Sequence, residues 1–188
     1  MSTLELIASV IGVVAVWLTV KQNPWCWPIG LVMVVMYGWI FYDAALYSNM
    51  LLQGVYAALQ LYGWWQWTRG GDGQAGVRVN RLNQHGVLLS LAAGAIGALL
   101  LGYLMVAFTD AAAPWQDATL SAFSLVAQVW MAQKRVECWP LWVILDVLFV
   151  ALFLQHGLYL TAGLYALFTV LALNGWLTWR RDRALALA

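Results

Sequence analysis

The side chains best equipped for chemistry lie inside apolar runs. Asp146 stands alone as an acid in "LWVILDVLFVAL". A buried carboxylate is costly unless it finds a partner or takes up a proton, so Asp146 serves either a cationic ligand or a structural bond to a neighbouring helix. Along "SNMLLQGVYAALQLYGWWQW", Asn49, Gln53, Tyr56, Gln60 and Trp64 recur at the spacing of one helical face. Along "TAGLYALFTVLALNGWLTW", Tyr165, Thr169, Ala172 and Trp176 do the same, with Asn174 beside that stripe. Gln128 adds a further amide in "LVAQVW". Amides, phenols, indoles and one acid are recognition groups: they hydrogen-bond, neutralise charge and stack on flat cationic rings. The glutamines are equally suited to hydrogen bonding between helices. A catalytic or metal constellation needs clustered acids, histidines or thiols. His85 and His156 are expected in loops, and Cys26 and Cys138 are far apart in sequence, so an enzyme is disfavoured and neither metal nor cofactor is expected.

The elements that must hold these groups are membrane helices. The chain has 188 residues, of which 64% are hydrophobic and 9% charged, against about 25% charged in soluble domains. A spanning helix takes about 20 apolar residues, and polar punctuation divides the chain into seven: 3–20, 25–42, 46–67, 86–108, 117–133, 139–155 and 158–179. The N-terminal "MSTLELIASVIG", with Glu5 where a signal peptide needs basic residues, reads as the start of a retained first span. All nine basic residues fall after spans 1, 3, 5 and 7, whereas Glu5, Asp43, Asp110 and Asp117 lie at the other end. Positive-inside counting therefore places the N-terminus outside and the C-terminus in the cytoplasm.

The sequence also repeats. "CWP" at 26–28 returns at 138–140, and Leu46-Tyr47 returns at the same offset as Leu158-Tyr159. Gly63, Trp64, Trp67 and Arg69 return, again at that offset, as Gly175, Trp176, Trp179 and Arg181. Upstream, Trp17 matches Trp130 and Lys21 matches Lys134 at an offset larger by one, implying a single insertion. Two triple-helix repeats, 1–69 and 114–188, then run in the same direction, joined by 70–113, a polar loop plus linker span 4. That is the parallel-repeat architecture of SWEET transporters, with the substrate near mid-membrane between the repeats. Span 4 offers small residues for close packing and no charge or amide for a ligand. Pro28 and Pro140 occupy matched helix starts, where a missing N–H is harmless.

The "WP" opening spans 2 and 6, together with "YGWWQW" and "ALNGWLTW" closing spans 3 and 7, resembles the PnuC family of bacterial vitamin transporters, related to SWEETs, over essentially the whole chain. The resemblance implies an all-α, SWEET-like 3+1+3 protein of the bacterial inner membrane. It implies uptake of nicotinamide riboside, with thiamine or riboflavin carried by relatives, by facilitated diffusion. Trapping by a cytoplasmic vitamin kinase follows from it, and it is compatible with a homo-oligomer such as a trimer. No nucleic acid is implied. A membrane sensor or scaffold is the rival of another class. The expected substrate contacts are Gln53, Tyr56, Gln60, Trp64, Gln128, Asp146, Tyr165, Thr169, Asn174 and Trp176, of which Asn174 rests on the family's "ALNG" motif. Trp67 and Trp179 are expected as anchors or gate walls, and Trp25, Trp27, Trp39, Trp115, Trp139 and Trp142 mostly as interfacial anchors.

Overall fold

Seven α-helices form from the seven apolar runs: α1 Thr3–Val20, α2 Cys26–Asp43, α3 Tyr47–Arg69, α4 Gln84–Phe108, α5 Pro114–Ala132, α6 Cys138–Gln155 and α7 Tyr159–Ala186. The computed structural model describes all residues except 1–2, 44–46, 72–74, 109–112, 156, 158 and 187–188, and side chains except also 3–5, 40–41, 43, 47–49 and 51. Glu5, Asp43, Asn49, Asp110, His156 and the Leu46/Leu158 match fall outside what is described. Among the described residues, α4, α6 and α7 are each long and apolar enough to cross a bilayer, and α1 and α2 carry shorter apolar stretches. The apolar surface faces outward, with Leu89 71%, Leu160 75% and Phe108 79% exposed, as suits a lipid-bathed protein.

Helix boundaries follow local chemistry. Asn83 caps α4 by accepting the Gly86 N–H at 2.8 Å, so α4 begins at Gln84 rather than 86. Pro114 opens α5 at the position where its missing N–H costs nothing. The sequence reading ends span 7 at 179, but α7 runs on to Ala186. "RRDRALA" consists largely of good helix formers, and Asp182 accepts a 2.7 Å bond from Gln22 across the fold. His85, expected in a loop, lies in the first turn of α4.

Helix packing is unchanged when α1, α2 and α3 are exchanged for α5, α6 and α7. α1 packs on α2 as α5 does on α6, α2 on α3 as α6 on α7, and α1 on α7 as α5 on α3. α4 lies to one side against α5. Its buried residues are Gly94, Ala98 and Gly102, one per turn, and Phe123, Val126 and Trp115 fill the space where a Cβ would stand at the two glycines.

The turns between α1 and α2 and between α5 and α6 agree bond for bond. Asn23 N–H reaches Leu18 O and Gln22 N–H reaches Thr19 O, just as Arg135 reaches Trp130 and Lys134 reaches Met131. This is the Schellman pattern, with the left-handed position held by Gln22 (φ 55°) and Lys134 (φ 51°). The offset that relates Cys26 to Cys138 therefore holds through these turns, which overturns the insertion read from Trp17/Trp130 and Lys21/Lys134. Gln22 is the backbone counterpart of Lys134, and the matched side chains serve different ends: Trp17 is 49% exposed, whereas Trp130 is 4% exposed.

Gly63 and Gly175 are required by rings on the neighbouring helix. A Cβ on Gly63 would strike the Trp27 ring, and one on Gly175 would stand 2.6 Å from the Trp139 ring. These rings are 2% and 1% exposed and have nowhere to retreat. Gly175→Ala should therefore lower the melting midpoint of the purified protein, through overpacking of about 1–3 kcal/mol. Gly163→Ala, where a Cβ meets open space on the same helix, should cause no loss.

Candidate functional site

At the basic end, four indoles close the molecule's centre. Trp27 meets Trp67 edge-on at 5.4 Å, Trp139 meets Trp179 edge-on at 5.1 Å, and Trp67 and Trp179 touch at 5.8 Å. The Trp67 indole N–H donates to Ala132 O at 3.1 Å, and Trp179 donates to Val20 O at 3.2 Å. These are the same bond at matched positions, each crossing from one set of three helices to the other. Last-turn carbonyls of a helix lack intrahelical donors, and the indoles supply them. Lys134, 9% exposed, lies with its Nζ 4.5 Å from the Trp67 ring centroid. Burial pushes its ammonium below the ordinary lysine range. The loop after α3 packs here too: Asn80 N–H donates to Lys134 O and Asn80 O accepts from Val136 N–H, both at 3.0 Å. Glu137 accepts from Arg81 Nε at 3.1 Å and from Leu82 N–H at 3.1 Å.

Toward mid-membrane the expected site residues separate into groups. Tyr165 lies within electrostatic reach of Asp146, Tyr56 and Tyr37, and its ring touches Phe149, Phe153 and Phe168. Tyr56 lies beside the Ser124 side chain. Asp146 is 4% exposed and makes no hydrogen bond to a described side chain or backbone group. Tyr56, Asp146 and Tyr165 are thus brought together. Gln60 and Gln128 are also buried, Gln60 with its amide laid over Gly30, where a Cβ would stand 2.8 Å from its Nε2. Gln53 is half-buried against Gly38. The Thr169 hydroxyl donates to Tyr165 O of its own helix at 2.9 Å.

Trp64, Asn174 and Trp176 are not brought to this group. Trp64 packs edge-on against Trp25 at 5.7 Å, in the turn at the basic end. Trp176 stacks under Arg180 at 5.3 Å. Asn174 is exposed and accepts from Thr178 Oγ1 at 3.3 Å. The sequence reading includes neither Ser124 nor Tyr37, and takes Trp142 for an interfacial anchor, whereas its indole nitrogen is buried. Ser124 precedes Gln128 by one helical turn and Trp142 precedes Asp146 likewise, so the face logic used for α3 marks both. Trp142 Nε1 is buried with no partner among the described residues.

The two sets of helices contribute unlike walls. Gln53, Tyr56, Gln60, Ser124, Gln128 and Asp146 have Tyr165, Phe168, Ala172, Gly12, Val16 and Val34 as their counterparts at the common offset. The Tyr56–Ser124 pairing is answered by Phe168 lying 3.5 Å from the Cβ position of Gly12. The six positions on α3, α5 and α6 are therefore polar where their counterparts, Tyr165 apart, are apolar.

A buried acid, an orphan indole donor and paired unlike walls, set between two matched helix sets in a membrane, fit passage of a small ring-bearing solute. The family described as nicotinamide mononucleotide transporter matches residues 2–181. The chain belongs to this family. It is 28% identical over 211 residues to the nicotinamide riboside transporter PnuC of Escherichia coli, covering 97% of this chain and 88% of that protein. It is 30% identical over 188 residues to the riboflavin/roseoflavin transporter RibM of Streptomyces davaonensis, covering 95% and 86%. The crystal structure of the vitamin B3 transporter PnuC superposes with a TM-score of 0.75 at 25% identity, over 95% of this chain and 80% of that one. The chain is a multi-pass bacterial membrane transporter, not an enzyme.

Trp179→Phe keeps the ring but leaves Val20 O without its donor, a loss of about 1–3 kcal/mol for a buried unsatisfied group. Cys138, fully buried in the same cluster, should then react faster with N-ethylmaleimide, read by intact mass on folded protein. Trp25→Phe, at an exposed ring, should leave the rate unchanged.

Proposed function

We propose that this protein carries a vitamin into the cell by facilitated diffusion, with nicotinamide riboside the first choice and thiamine or riboflavin the alternatives. Residues 1–69 and 114–188 act as two parallel triple-helix repeats joined through 70–113, with the N-terminus outside and the C-terminus in the cytoplasm. Phosphorylation by a cytoplasmic kinase then holds the cargo inside.

The observation that carries the reading is Asp146, 4% exposed and without a hydrogen bond from a described residue. Nicotinamide riboside and thiamine each bring a ring cation that neutralises such an acid, and the phenols and phenyl rings around Tyr165 present π-faces to a flat ring. Riboflavin, uncharged, leaves the acid unused. The relatives named for nicotinamide riboside and riboflavin support the vitamin class. Passive flux is favoured because Asp146 is the one buried acid among the described residues, whereas ion-coupled transport needs a second charged site. Convergence of the basic segments at the end sealed by the four indoles supports the orientation.

Calorimetry separates charge from shape. Asp146→Asn should weaken binding of nicotinamide riboside by roughly tenfold or more, the scale of a hydrogen bond to a charged group, and leave its reduced, uncharged form unaffected. Equal losses for both ligands would assign Asp146 to structure. In proteoliposomes uptake should stop at equal concentrations on the two sides. Accumulation driven by a proton or sodium gradient would overturn passive flux, and absence of flux despite binding would favour a sensor.

A further inference from the structure

A cavity of about 420 Å³ opens at the basic end, walled by Arg81, Glu137, Pro140, Trp176, Arg180 and Arg183. Its size is within the range of small-molecule sites, roughly 300–1,000 Å³. The matched place in the first set of helices is built differently. There stand Trp25, Pro28, Trp64 and Thr68, with Trp25 packed on Trp64 at 5.7 Å and the Thr68 hydroxyl spent on Trp64 O at 2.6 Å. Glu137 replaces that covering indole with a short acid and Arg180 replaces the threonine, so Trp176 has a guanidinium over its ring and borders an open cavity.

The charges in this cavity are unevenly committed. Glu137 is occupied by Arg81 and by the Leu82 N–H, so the lining's single acid is already paired. Arg180 lies over the Trp176 ring at 5.3 Å, and no ion pair involves Arg180 or Arg183 among the described residues. Two guanidinium groups free to bind bidentately, beside an aromatic face, match a phosphate attached to a flat ring. The nearby Asp182 accepts from Gln22 and forms no ion pair with either arginine.

We propose that this cavity binds a phosphate group, with Arg180 and Arg183 as its ligands and Trp176 as the wall for the group attached to it. Two sources share this chemistry: a soluble aromatic phosphate monoester and the headgroup of an anionic phospholipid. If the protein works as proposed above, the phosphorylated form of its cargo belongs to the first class and would meet the transporter at this face. The site itself requires no choice of vitamin.

The test uses the full-length protein in phosphatidylcholine nanodiscs, titrated with flavin mononucleotide and, separately, riboflavin, read by flavin fluorescence. A parallel arm measures enrichment of phosphatidylglycerol around the protein in mixed-lipid nanodiscs by mass spectrometry of retained lipid. Each arm compares wild type with Arg180→Gln/Arg183→Gln, two changes at the exposed end of α7 that leave the indole cluster intact. Flavin mononucleotide binding that falls roughly tenfold or more in the variant, with any riboflavin binding unchanged, establishes a soluble phosphate ester as the ligand. Phosphatidylglycerol enrichment lost in the variant establishes the headgroup. Failure of both, or equal binding by wild type and variant in both, overturns the site. Loss of riboflavin binding in parallel with flavin mononucleotide would place the arginines on the transport path and overturn a separate cavity. Nicotinamide riboside binding by the same variant tests the central site independently.

Discussion

A helix that ends within or near a membrane leaves carbonyl oxygens without donors, and in this protein two of them are satisfied from the opposite set of helices. Val20 O at the end of α1 accepts from Trp179 at the end of α7, and Ala132 O at the end of α5 accepts from Trp67 at the end of α3. Much of the basic end can be derived from this exchange. Each donor indole is met edge-on by the tryptophan that follows the cysteine, Trp27 in α2 against Trp67 and Trp139 in α6 against Trp179. Each of those rings needs a glycine one turn before the donor, which is why Gly63 precedes Trp67 and Gly175 precedes Trp179. The repeated Gly-Trp-x-x-Trp spelling is a packing constraint at its glycine and second tryptophan.

Much of this was legible in the sequence because helices in a membrane announce themselves by length and hydrophobicity. The constant offset between the two halves was visible because tryptophan, proline and glycine have few substitutes. The register slip upstream arose from matching side-chain identity where backbone geometry was conserved instead. Lys134 lies beneath Trp67 in the left-handed turn position, and its backbone counterpart is Gln22 rather than Lys21. Charge marks the end of a span but not of a helix: helix propensity and the Gln22–Asp182 bond carry α7 on to Ala186.

The candidate site was legible in part for a related reason. Spacing of three and four positions identifies which side chains share a face, not which face looks inward. On α3 and α7 the stripe rotates as it descends, so Tyr56 and Tyr165 reach the centre while Trp64 and Trp176 end beside the turns. Asn174 points outward and bonds along its own helix. Ser124 and Trp142 were recoverable from the same periodicity applied to α5 and α6. The contrast between the polar and apolar walls was not read from either half alone. It emerges once the structure fixes the register and each polar residue is set against its counterpart.

If the solute passes between the helix sets as proposed, the two indole bonds that join those sets at the basic end must part. Spin labels at Arg69 and Arg181, counterparts at the ends of α3 and α7, report that separation by pulsed electron paramagnetic resonance in nanodiscs. The account predicts one dominant distance without ligand and a second, longer one whose population rises when nicotinamide riboside is added. A single distribution, unchanged by the vitamin in protein that transports it, would contradict the account.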